Sequence, residues 1–171
     1  RWYNMSTLNV DTLQDKAGAF EHARLVQVVN ALDGAVATGT TVMPSDDTIP
    51  QSGEGDQFMT LAITPTHASN KLLIQIAWCG ASSTTNEIFA ALFQDSDAGA
   101  LTSSGSQTGH NHQLQNITFT HFMTAGTTSS TTFKLRVGAG ASSTISHNGA
   151  AGGRKLGGVM QSSITISEIR V

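Results

Sequence analysis

The stretch "KLLIQIAWC", residues 71–79, constrains this chain more than any other. Side chains on an extended backbone alternate between two faces. Leu72, Ile74, Ile76 and Trp78 therefore share one face, and Leu73, Gln75 and Ala77 share the other. Segments of the same kind recur along the chain: "HARLVQVVN", "AVATGTTV", "FMTLAITP", "EIFAALFQD", "QNITFTHFMT", "TTFKLRVG", "ASSTISH" and "VMQSSITISEIRV". Clusters of Gly, Ser, Asn and Asp separate them, and no segment holds a helical period. Short strands at this spacing predict an all-β chain, a jelly-roll-type antiparallel β-sandwich of about eight or nine strands.

Individual segments carry finer expectations. Asp33-Gly34 reads as a hairpin turn returning "HARLVQVVN" into "AVATGTTV". In "TTFKLRVG", Phe133, Leu135 and Val137 face in, and Lys134 and Arg136 face out. In "QNITFTHFMT", His121 shares an apolar face with Ile117, Phe119 and Met123. In the last segment Ile164 and Ile166 are in phase, but Ile169 and Val171 are shifted by one. A β-bulge near Ser167-Glu168 would return both to the core. "EIFAALFQD" is apolar on both faces, so it sits centrally or touches a neighbouring subunit. Phe89, Ala91, Phe93 and His121 are accordingly the candidates for a subunit interface. "MPSDDTIPQSGEGDQ" (43–57) and "DAGALTSSGSQTGHN" (97–111) read as long surface loops.

Composition narrows the function. Only 12 % of residues are charged, about half the usual share of roughly 25 %. Neutral Ser and Thr fill the gap, which suits polar outer sheet faces. The net charge of −3 comes without a basic patch, so nucleic acid is not an expected partner. No run of 18 apolar residues and no signal-peptide pattern occurs in this sequence, so membrane insertion is not expected. The single cysteine, Cys79, closes an apolar run and reads as a small buried hydrophobe.

No nucleophile elbow, phosphate loop, dinucleotide fingerprint or zinc spacing occurs. "GAGAS" and "GAAGGRKLGG" do not link a strand to a helix, so their glycines read as turn residues with positive φ. Asp46, Asp47, Glu54 and Asp56 share one loop but lack the spacing of a twelve-residue calcium loop. His110 and His112, in "GHNHQ", would lie on one side of a strand. Brought to a three-fold axis, three such pairs would offer six nitrogens to a transition metal. The plainer reading of so short a motif is two solvated imidazoles in a polar loop. No other cofactor is expected.

Several stretches together carry a resemblance: the "DDTIP" loop, "EGDQFMTLAITP", "NKLLI", "ALFQD", "FMTAGTTSSTTFKLRVG" and the closing "GGVMQSSITISEI". From Met5 to Val171 the chain resembles a domain of tailed-bacteriophage virion proteins. Its opening "MSTLNVDTLQDKAG" is similar to the N-terminal segment of phage fibre-like and virion-surface proteins. The resemblance implies a homotrimer of sandwiches of the complement-C1q and tumour-necrosis-factor type. It also implies a place on the phage particle and a structural or adhesive role. It is compatible with tail fibre, head fibre and capsid decoration alike.

On this basis residues 1–20 are expected to be an attachment segment and residues 21–171 a non-enzymatic knob. Met5 reads as a natural start. Thr7, Leu8, Asn9, Val10, Asp11, Thr12 and Leu13 would form an extended strand that joins other virion proteins by edge pairing. Loops 43–57 and 96–112 would meet a host surface glycan or protein. Capsid decoration is the alternative role, and a glycan-cleaving enzyme of the tailspike kind is the third.

Overall fold

The computed structural model describes residues 24–171. Among them the strands are β1 (Arg24–Asp33), β2 (Ala37–Gly39), β3 (Asp56–Ile63), β4 (Lys71–Ser82), β5 (Glu87–Gln94) and β6 (Thr102–Gln107). They continue with β7 (Leu114–Thr124), β8 (Thr131–Ala139), β9 (Ile145–His147), β10 (Gly149–Ala150), β11 (Gly153–Arg154) and β12 (Ser162–Arg170). A 3-10 turn at Leu156–Gly158 is the one helical element among the described residues, and no helix there is long and apolar enough to cross a membrane.

Eight of these strands build two antiparallel sheets. One runs β1-β12-β4-β7 and the other β3-β8-β5-β6. Counted in chain order, the eight lie 1-8-3-6 and 2-7-4-5, which is the strand order of a jelly roll. The short β9 takes over from β12 along the last residues of β4 and carries β2 at its other edge. The expected all-β sandwich is therefore the fold.

The period of two explains the core. Leu72, Ile74, Ile76 and Trp78 are buried, as are Ile164 and Ile166 on the neighbouring strand. They meet Ile88, Ala90, Leu92, Phe133, Leu135 and Val137 of the facing sheet in one cluster. Lys134 and Arg136 turn outward, as expected. Arg136 then lies under the 43–55 loop, donating from Nε to the carbonyl of Glu54 (2.9 Å) and from Nη2 to that of Gly55 (2.7 Å).

Three local expectations are corrected, and β5 sits centrally, between β8 and β6, as one of its two readings had it. Asp33-Gly34 is not a hairpin: β1 pairs with β12, and β2 pairs with β9. The Val29–Ile166 and Ala31–Ile164 pairs align two apolar faces, and that decides the partner of β1. "DAGALTSSGSQTGHN" is not all loop, because Thr102–Gln107 forms the edge strand β6 on β5. Its backbone pairs without any apolar alternation to announce it. The second face of β5 is covered by the same chain: Met43 packs on Ala91 and Phe93, with Phe89 and Ala100 beside them. The two-sided apolar pattern thus needs no second subunit to bury Ala91 and Phe93.

The third correction concerns β12, which runs straight through Ser167-Glu168. The bulge lies opposite, in β1, between Leu25 and Gln27. Glu168 therefore stays in phase with Ile164 and Ile166 and is buried, while Val171 is exposed. A carboxylate, not an isoleucine, fills the inward position at the end of this strand.

Candidate functional site

The two ends of the sandwich differ, and the registers define them. Arg24, Arg170, Lys71 and Thr124 stand side by side at one end. The chain enters the sandwich there, beside the 64–70 and 125–130 connections. Asp33, Ser162, Ser82 and Leu114 mark the opposite end, which carries the turns at 83–86, 108–113 and 140–144.

Each end contains a buried polar cluster. At the entry end the Glu168 carboxylate accepts from Gln27 Nε2 (2.6 Å), Thr66 N and Oγ1 (2.8 Å each) and Asn70 Nδ2 (2.5 Å). Burial alone would raise its pKa. The hydrogen bonds from Gln27, Asn70 and Thr66 outweigh that and hold it at about 2. The charge is thus stabilised by neutral donors, and the cluster ties β12 to β1 and to the turn before β4.

At the opposite end His147 is fully buried, stacked on Phe58 with ring centroids 4.9 Å apart. Its Nε2 lies 3.1 Å from Asp33 Oδ2. A carboxylate only accepts, so Nε2 carries the proton and donates. Burial pushes the His147 pKa down and Asp33 pulls it partly back, which leaves a neutral imidazole at pH 7. Asn148 donates to the carbonyls of Asp33 (2.7 Å) and Ala35 (3.0 Å), and accepts from Ser162 Oγ (2.7 Å) and Cys79 Sγ (3.4 Å). Burial raises the Cys79 thiol pKa, with the Ser162 hydrogen bond opposing. A thiol that stays protonated and sealed in a core is a poor nucleophile. This cluster pins β1, β4, β9 and β12 together, with His147 fully buried and the Asp33 side chain 32 % exposed at its edge.

The open feature is the outer face of the β1-β12-β4-β7 sheet. Registers place Asn30, Thr165, Gln75 and Thr120 in one cross-strand row. The next row holds Leu32, Ser163, Ala77 and Thr118. Gln75, Ala77, Thr118, Thr120, Ser163 and Thr165 of these rows line a shallow trough of about 540 Å³. Asn30 Nδ2 donates to Thr165 Oγ1 at 2.8 Å. A third row, Val28, Ser167, Leu73 and Phe122, lies next to the trough on the same face, with Val28 and Phe122 exposed. No charged residue lines the trough. Its alternation was visible in "KLLIQIAWC" as the face of Gln75 and Ala77, but the register that assembles the rows was not.

The residues singled out from sequence are not gathered into one site. His110 and His112 lie in the 108–113 turn, not on a strand, and His112 has a left-handed φ of 60°. The period-of-two argument for a shared side therefore does not apply to them. Among the described residues no three His, Cys, Asp or Glu side chains cluster as metal ligands. Three of the four acids Asp46, Asp47, Glu54 and Asp56 are taken up by hydrogen bonds within the chain instead: Asp46 binds Thr48, Glu54 accepts from the Gln51 amide, and Asp56, the first residue of β3, binds Thr41. His121 is half-buried on the inward side of β7, and that burial lowers its pKa. Phe89 is half-buried on the outer face of β5. The 43–55 loop lies along the outer face of its own sheet, held by Ser52 N to Ala98 O (2.7 Å) and Ala100 N to Pro50 O (2.9 Å). Thr7, Leu8, Asn9, Val10, Asp11, Thr12 and Leu13 fall outside the described residues.

Sequence reasoning missed Glu168 and the His147–Asp33 pair. The one available signal was Glu168 standing two residues after Ile166 on a core face.

No protein-family model matches the chain, and no curated protein matches it. Solved structures give partial overlaps. A CBM4 structure overlaps with a TM-score of 0.40 at 18 % identity, over 75 % of this chain and 76 % of that one. Infectious bursal disease virus, Gt strain, gives 0.41 at 11 % identity, over 99 % of this chain and 42 % of the viral one. The enzymatically active domain of bacteriophage CBA120 tailspike protein 4 gives 0.31 at 16 % identity, over 74 % and 20 % respectively. Viral and phage particle proteins thus stand among the structural neighbours, at scores below 0.5 that assign no activity.

Proposed function

We propose that this chain is a non-enzymatic structural and adhesive knob on the surface of a phage particle, carried as a homotrimer by its N-terminal segment. One observation supports this most: the chain enters the sandwich at one end, and the neutral turns at 83–86, 108–113 and 140–144 stand at the other. A knob tethered by residues 5–15 would hold its entry end toward the particle and present the far turns and the sheet face outward. Glu168 and the His147–Asp33 pair tie strands together within the sandwich.

Deleting residues 5–15 should release the protein from the particle and leave a folded trimer. A truncated protein that still joins the particle would overturn the attachment role. An electron-microscopy map of the intact particle would separate adhesive fibre, at tens of copies, from capsid decoration, at hundreds, both counts being what the resemblance implies.

A further inference from the structure

We propose that the trough across the outer face of the β1-β12-β4-β7 sheet binds a neutral oligosaccharide, a ligand class that rests on the adhesive reading above. The floor is built from Thr165, Gln75 and Thr120 in one row, with Ser163 and Thr118 in the next, and Asn30 continues the first row on β1, donating to Thr165. Hydroxyls both donate and accept, and side-chain amides do the same with separate atoms. A polyol, whose own hydroxyls donate and accept, is the complementary ligand. Neighbouring strands stand about 4.8 Å apart, so the row offers one polar side chain per step of roughly one sugar ring. Sheet hydrogen bonding holds these positions, and β-branched threonines are stiff at χ1, so little side-chain order is lost on binding.

The adjacent row adds the second requirement of such a site, apolar surface for the C–H faces of a sugar. Phe122 is 57 % exposed beside Thr120, and Val28, 50 % exposed, stands at the β1 end of the same row. Aromatic and aliphatic contact combined with a few placed polar groups is the usual make-up of a small-ligand site.

Competing occupants fit less well. Nucleic acid or an anionic glycan needs Lys or Arg against its charges, and the trough has none. An extended peptide binds by pairing with a sheet edge, whereas this is a face. A second copy of the chain would press the same neutral hydroxyls against one another.

The test uses the full chain with maltohexaose, cellohexaose and mannohexaose as neutral probes and polygalacturonate as the charged one. Binding is followed by calorimetry and by amide resonances. The expected result is saturable binding of at least one neutral hexasaccharide, shifts confined to Gln75, Thr120, Thr165 and their neighbours, and no response to polygalacturonate. Q75L and T165V, each shown folded by circular dichroism, should weaken that binding tenfold or more. S104A on the opposite sheet should leave it unchanged. The proposal is overturned if no neutral probe binds, if shifts map elsewhere, or if both trough variants bind like the parent. It is also overturned if light scattering shows that Q75L dissociates an oligomer, since a second copy would then fill the trough. Adherence of the protein to host cells is measured in parallel. Adherence that persists without saccharide binding removes the trough and keeps the adhesive reading. Saccharide binding without adherence does the reverse.

Discussion

Glu168 accepts a 2.5 Å hydrogen bond from the side-chain amide of Asn70, a residue 98 positions earlier in the chain. The bond joins the end of the last strand to the turn that begins β4. With Gln27 and Thr66 it makes a charged group the fastener of the entry end.

Substituting Glu168 with Gln should therefore cost about 2 kcal/mol at pH 7, as the charge-assisted acceptor is lost and the buried Asn70 amide loses its charged partner. The wild-type contribution has a definite pH window. The carboxyl titrates near 4.5 unfolded and at about 2 folded. Its stabilisation is complete above pH ~4.5 and is lost as pH falls through about 2. Urea unfolding from pH 7 to pH 2.5 checks this: E168Q should show a shallower acid decline.

His147 has the same sign at a higher pH. Its folded pKa lies below the ordinary 6.5, so below 6.5 the unfolded chain binds protons that the fold refuses. Stability should fall as pH drops from 6.5, and His121, also lowered by burial, adds to the decline. H147Q keeps a donor for Asp33. It should be less stable at pH 7 but flatter between pH 6.5 and 5, in thermal melts at half-unit steps.

Met43 is almost wholly buried over Ala91 and Phe93. M43A should cost about 3 kcal/mol through the cavity it leaves, measured by denaturant midpoint. It should also increase binding of a hydrophobic dye, since the second face of β5 loses its cover.

Gly80 leaves room for the Trp78 ring. A Cβ at that position would overlap the Ser146 carbonyl oxygen and lie 2.5 Å from Trp78 Cζ2. G80A should cost about 3 kcal/mol by overpacking and disturb the near-ultraviolet signal of Trp78. G53A, in open space, is the control.

Much of the fold was legible because one face of most strands is buried. Leu72, Ile74, Ile76 and Trp78 announce β4, and Phe133, Leu135 and Val137 announce β8, because alternation and burial are the same physical fact there. β6 was not legible: "TSSGSQ" has no apolar face, and an edge strand is made by backbone pairing that any sequence can supply. The trough was half legible. Gln75 and Ala77 were visibly outward, but their neighbours Thr165 and Thr120 lie 90 and 45 positions away.

What the sequence determined by itself was the class of fold and the identity of the core, since period-two burial depends only on residues close in the chain. Partner choice was decided by tertiary structure: β12 for β1, Met43 for Phe93, Asp33 for His147. So was the fate of Glu168. A bulge in β12 would have turned Ile169 inward; the bulge in β1 instead left Glu168 there. A buried carboxylate is stable only when donors from distant segments converge on it, and Gln27, Thr66 and Asn70 meet only once the sandwich has closed.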